Sequence, residues 1–133
     1  MAEPIPPAPE QLRPPEGLWR RRLASFGHAG RGVGAALRSE VHLRFHALAT
    51  VAVAGLGWYV GLTRLEWALV ALATTGVWAT ELINTAIEAL TDLVSPAYHP
   101  LAGRAKDVAA GAVLLAALGA LVVGGLVFGP HFF

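Results

Sequence analysis

The sequence predicts an all-α membrane protein, with three transmembrane helices preceded by an amphipathic surface helix. Three observations carry that prediction. Of 133 residues, 55% are hydrophobic and only 14% charged, with a mean hydropathy of +0.54, too apolar for a small soluble domain. The apolar residues gather into three runs long enough to cross a bilayer. Seven of the ten basic residues, Arg13, Arg20, Arg21, Arg22, Arg31, Arg38 and Arg44, precede the first run. Such a bias marks the cytoplasmic side of a membrane. The absence of cysteine excludes a disulfide framework and a thiolate metal site.

Residues 1–16 are proline-rich and lack apolar periodicity, which predicts a disordered, extended arm. They also lack the charged region, apolar run and cleavage site of a signal peptide. The membrane domain then occupies residues 17–133. From about 18 to 42, Trp19, Leu23, Phe26, Val33, Leu37 and Val41 share one helical stripe. Arg20, Arg31 and Arg38 lie roughly 100° away, the pattern of a basic helix lying in the membrane surface. Gly27, Gly30, Gly32 and Gly34 predict a break or bend in it.

The spans follow at about 45–62, 66–94 and 108–128. The first and third are free of charge. The middle one runs without charge from Trp67 to Thr80, continues helically through carboxylates to Val94, and ends before Pro96 and Pro100. Arg64 then faces out, and the connection holding Arg104 and Lys106 faces the cytoplasm. In the third span Ala112, Ala116, Ala120 and Gly124 recur four apart, a stripe that lets helix backbones approach closely.

The polar residues of the middle span are not scattered. At 100° per residue Glu81, Glu88 and Asp92 lie within roughly 40° of one another, with Asn84 at the border of the stripe. Counting from Trp67 at about 1.5 Å per residue, Glu81 lies roughly 21 Å and Glu88 roughly 31 Å along the span. Against a hydrocarbon thickness of about 30 Å, Glu81 is inside the cytoplasmic leaflet and Glu88 is at its edge. A carboxyl group at that depth is costly unless paired or functional, and Glu81 is a candidate general base for a hydroxyl at the interface.

Glu40 before the first span, and Lys106 and Asp107 before the third, fall at the same boundary as Glu88. Glu40 and Glu88 are carboxylates suited to Mg²⁺, which keeps waters and completes its shell with phosphate oxygens. Lys106 can neutralise phosphate charge, with Asn84 and Asp107 orienting the reacting groups. The constellation fits phosphoryl transfer at a membrane surface. Neither a GxxxxGK[ST] loop nor a protein-kinase glycine-rich loop is present. Of the histidines, His99 is the one placed to touch a ligand, while His28, His42 and His46 read as interfacial side chains and His131 as tail.

At these residues the sequence resembles the small prokaryotic integral-membrane lipid kinases, which comprise diacylglycerol kinase and undecaprenol kinase. The resemblance lies in "ELINTAIEALTD", "YHPLAGRAKD" and "AAGAVLL", with support from "SEVHLRFH" and "GLTRLEWALV". It implies a homotrimer of three-span subunits with active sites shared between neighbours, using Mg-ATP to phosphorylate a lipid alcohol on the cytoplasmic side of the inner membrane. On matching positions it implies Glu81 as catalytic base with Asn84 in support, and Glu40 and Glu88 as metal ligands. Lys106, Asp107, Tyr98, His99 and, more loosely in register, Arg21 would contact the nucleotide. His28 stands where diacylglycerol kinases carry an aromatic ring. "LRFH" at 43–46 is similar to the undecaprenol branch, where the other branch has an acidic residue in place of His46. Undecaprenol is therefore the expected substrate, with diacylglycerol the alternative.

Two other classes compete. A proton-conducting subunit would place its carboxylates near mid-membrane, whereas here they cluster at one boundary with Lys106. A purely structural membrane protein would need no such gathering of charge at one level.

Overall fold

In a computed structural model the described residues are Gly17–Phe133, apart from the side chains of Leu18 and Arg21. The arm expected at 1–16 lies outside them. They fall into two units, 17–32 and 33–133, and each is described by itself. Among the described residues every regular element is helical: α1 Leu18–Ser39, α2 Val41–Val60, α3 Arg64–Val94 and α4 Pro100–Phe132.

Within 17–32 the helix exposes Trp19, Leu23 and Phe26 to 71%, 56% and 77%, so its apolar stripe has no cover inside the unit. Of the break or bend expected at the glycines, the break does not occur, because α1 stays helical through Gly27, Gly30, Gly32 and Gly34. Glycine weakens a helix by about 1 kcal/mol relative to alanine but keeps its N–H donor. Only proline removes that donor, and no proline occurs in α1.

In 33–133 the boundaries have local causes. Glu40 alone separates α1 from α2; its extended backbone makes it the N-cap of α2, yet its carboxylate makes no capping bond. α2 ends at Gly61, whose φ of 76° is the left-handed conformation that only glycine adopts cheaply. Both Gly61 N–H and Leu62 N–H then donate to Gly57 O. Thr63 opens α3 with a capping box: its hydroxyl accepts from Glu66 N–H, and the Glu66 carboxylate accepts from Thr63 N–H at 2.7 Å. α4 begins with Pro100 in its first turn, where a missing N–H costs nothing, and His99 caps it. Arg104, Lys106 and Asp107 are therefore helical residues of α4.

α3 and α4 form an antiparallel pair held at both ends. Lys106 Nζ bonds Asp92 Oδ1 at 2.5 Å at one end, and His131 Nε2 lies 3.0 Å from Glu66 Oε1 at the other. Both contacts keep one register along the pair, and on α3 they stand roughly 39 Å apart at 1.5 Å per residue. Near the second latch Leu62, Val70 and Val127 form a buried cluster with Val60, Trp67 and Phe128 against it. α2 runs antiparallel to α3, with His46 opposite Glu81 and Thr50 opposite Trp78. α2 and α4 are long and apolar enough to cross a membrane. α3 has 31 residues but is less apolar, since it carries the polar face.

Candidate active site

Helical periodicity sets the site's polar face, and cross-helix register sets its neighbours. Glu81 is the buried charged residue of α3, at 7% exposure. Its Oε1 lies 3.0 Å from Nε2 of His46 on α2, whose side chain is 20% exposed. One turn farther from the α3–α4 link, Thr50 donates its hydroxyl to His46 O at 2.7 Å and accepts from Trp78 Nε1 at 3.0 Å. The indole thus fixes the threonine, and the threonine ties the turn that presents His46. Continuing the α3/α4 register brings Ala116 and Ala117 opposite Glu81, so no charge faces it from α4.

Asn84 sits one turn closer to that link and donates from Nδ2 to Glu88 Oε1 at 2.9 Å. Its Oδ1 is buried without a hydrogen-bond partner. Continuing the α2/α3 register from His46 to Glu40 brings Glu40 level with Ile87 and Glu88. Both acids are half-buried. They stand roughly 10 Å along the axis from the Glu81 level at 1.5 Å per residue. Among the described residues no three acidic or histidine side chains converge as a ready-made cage.

The remaining predicted residues lie toward the α3–α4 turn. Lys106 reaches back to Asp92, which is 67% exposed. Asp107 and Tyr98 are exposed, Tyr98 at 91%. The His99 ring caps α4 by accepting from Leu101 N–H through Nδ1 at 3.2 Å. It also lines a groove of about 500 Å³ with Thr91, Ser95 and Ala102. Arg21 lies in α1, and its side chain is outside those described. Asp92, Lys106 and His99 thus share the turn with the groove, while Glu40, Asn84 and Glu88 share the level between the turn and Glu81.

On the side of Glu81 away from that turn a cavity of about 440 Å³ opens among α2, α3 and α4. His46, Thr50, Thr74, Trp78, Ala117 and Ala120 are among its walls, and the lining is mostly apolar. Ala117 and Ala120 leave room that larger side chains would fill, and Ala120 belongs to the small-residue stripe of α4. His46 is the partner of Glu81 that sequence reasoning missed, having read it as interfacial. The available signal was its spacing from Thr50: two polar side chains four apart on one face of an otherwise apolar run.

The fold and site define an all-helical membrane-type protein with a buried carboxylate at the head of an apolar cavity and further acids toward one helix end. Comparison with known proteins agrees. A model of the prokaryotic diacylglycerol kinase family matches residues 27–128, and the chain belongs to that family. It is 44% identical over 110 residues to the undecaprenol kinase of Bacillus subtilis (strain 168), covering 83% of this chain and 89% of that protein. It is 43% identical over 109 residues to a diacylglycerol kinase of Synechocystis, covering 81% of this chain and 62% of that protein. To the diacylglycerol kinase of Escherichia coli (strain K12) it is 29% identical over 112 residues, covering 84% and 92%. The chain is an enzyme of the lipid-kinase class, as the resemblance implied.

Proposed function

We propose that the protein phosphorylates undecaprenol to undecaprenyl phosphate, with Mg-ATP as donor, at the cytoplasmic face of a bacterial inner membrane. The observation that carries the reading is the apolar cavity running from the Glu81 level away from the α3–α4 turn. A hydrocarbon chain seated there brings its terminal hydroxyl to Glu81 while the nucleotide stays at the turn. The identity to an undecaprenol kinase supports the choice of alcohol. The relatives named diacylglycerol kinase support the second reading, phosphorylation of diacylglycerol.

In this reading Glu81 is the base. The hydroxyl proton passes to its Oε2 as the oxygen bonds the γ-phosphorus, and the bond from that phosphorus to the bridging oxygen breaks, leaving ADP. Asn84 holds Glu88 and offers its unpaired Oδ1 to the reacting groups. Glu40 and Glu88 are hard oxygen donors on one level, and the Glu40 carboxylate is not consumed by its cap, so the pair fits Mg²⁺. Held by Glu40 and Glu88, such an ion would neutralise charge on the transferring group. Lys106, Asp107, Tyr98, His99 and Arg21 are the nucleotide contacts.

The spacing of the two α3–α4 latches supports a spanning hairpin. Roughly 39 Å at 1.5 Å per residue exceeds a hydrocarbon thickness of about 30 Å, so both charged ends reach head groups. With α2 this gives three spans, and we place the exposed stripe of 17–32 in the membrane surface. The subunits assemble as a homotrimer with shared sites. The test is transfer of labelled γ-phosphate from ATP in mixed micelles to undecaprenol or diacylglycerol, with Mg²⁺ or chelator. Chelator-sensitive product on undecaprenol, lost in Glu81→Gln with assembly intact, is expected. Product only on diacylglycerol selects the second reading, and a Glu81→Gln variant with most of its activity removes Glu81 as base.

A further inference from the structure

The kinase reading uses Glu81 but leaves its partner without a role. His46 is half-buried and comes from a different helix. Its ring touches the carboxylate and forms part of the cavity wall, and the helical turn that carries it is tied at the His46 carbonyl by Thr50, itself bonded by Trp78. A contact of 3.0 Å between Nε2 and Oε1 admits two proton arrangements. Either Nε2–H donates to a carboxylate, or Nε2 accepts from a carboxylic acid. Only the first leaves Glu81 able to take a proton.

We propose that His46 is a positioning residue for phosphoryl transfer: as the neutral Nε2–H tautomer it donates to Glu81 Oε1 and thereby turns Oε2 toward the lipid hydroxyl. The inference rests on the reading of Glu81 as base. His46 neither gains nor loses a proton; the hydroxyl proton ends on Oε2, and the electron pair of the broken P–O bond leaves with ADP. No other charged group among the described residues competes for Glu81. Ala116 and Ala117 face it from α4, Arg44 on α2 is exposed, and on α3 Glu88 is two turns away and bonded to Asn84. A hydrogen bond to an ionised acceptor in such a place is among the stronger ones.

Because His46 acts through Glu81, its removal must lower turnover rather than nucleotide binding. The experiment compares the full-length protein with His46→Leu and His46→Gln in mixed micelles, using undecaprenol and Mg-ATP, with assembly checked by size-exclusion chromatography. In His46→Leu, kcat falls about 10- to 100-fold, with KM for Mg-ATP within about twofold of the parent. His46→Gln, whose amide N–H reaches the same place without being able to accept a proton, recovers to within about fivefold of the parent. Parent-like kcat in His46→Leu overturns the proposal. So does His46→Gln as slow as His46→Leu, which would make the imidazole itself the proton carrier.

The ¹⁵N spectrum of the His46 ring at neutral pH decides the proton arrangement without turnover. A protonated Nε2 with a bare Nδ1, altered in Glu81→Leu, is the expected signature; a protonated Nδ1, whether Nε2 is bare or also protonated, overturns the proposal. If the parent protein phosphorylates no lipid alcohol, the kinase reading of the site fails on its own account, and the spectrum still decides the His46–Glu81 arrangement.

Discussion

Two glycines in α2, two residues apart, isolate the cost of a close approach between helices. A Cβ built on Gly57 falls 2.8 Å from Leu62 Cδ1 and 2.9 Å from Trp67 Cη2, whereas one built on Gly55 meets nothing within 4 Å. The leucine methyl can rotate away. The indole cannot move freely, because Trp67 packs on the buried Leu62–Val70–Val127 cluster. Replacing either glycine with alanine gains the same helix propensity, about 1 kcal/mol. That term cancels in the difference, leaving only overpacking, which costs about 1–3 kcal/mol. Gly57→Ala is therefore expected to be less stable than Gly55→Ala by about 1–3 kcal/mol. Gly55→Ala itself should match or exceed the parent. Reversible unfolding in mixed micelles titrated with dodecyl sulfate reads both variants against the parent. If Gly57→Ala and Gly55→Ala have the same midpoint and slope, the tight junction of α2 with Leu62 and Trp67 does not hold the helices as described.

Thr63→Ala removes the capping hydroxyl of α3 and is expected to cost about 0.5–2 kcal/mol in the same titration, with kinase activity per folded molecule unchanged. A loss of activity at full stability would mean that Thr63 does more than cap the helix. Ala120→Phe places a ring in the 440 Å³ cavity, so KM for the lipid alcohol should rise several-fold while KM for Mg-ATP stays put. An unchanged lipid KM would show that the chain of the substrate lies elsewhere.

Much of the fold was legible because its signals are local. The angular grouping of Glu81, Glu88 and Asp92 follows from 3.6 residues per turn and needs no knowledge of a neighbour. Thr63 and Glu66 at the start of α3 and Gly61 at the end of α2 are equally local signals that the sequence reading did not use. Pro100, read there as an end of the middle span, instead opens α4 about eight residues before the expected third span. The glycines of α1 do not end the helix as a break would, because glycine lowers helix stability without removing a donor. The pairing of Lys106 with Asp92 was not legible either. Both were placed at one boundary, but their joining depends on the α3/α4 register, which is set by the length of the 95–99 link and by packing along the whole hairpin.

The partner of Glu81 was the hardest to read, and its identity bears on the chemistry. The depth of the carboxylate follows from counting residues, and depth alone demands a partner, but any donor on a neighbouring helix would meet that demand. Arginine and lysine are common partners for a buried acid. Their charge would bind the carboxylate in a tight ion pair at a position where, in the proposed reaction, it turns toward a substrate and accepts a proton. Away from Glu81 the chain does use such a pair, since Lys106 and Asp92 latch α3 to α4 beside the turn that links them. At the Glu81 level it places an imidazole, which can donate one hydrogen bond while uncharged. The same ring lines one end of an apolar cavity, where a cationic side chain would carry a desolvation cost. An imidazole on a turn tied by Thr50 and Trp78 can meet both conditions at once, and that joins the depth of Glu81 to the role proposed for His46.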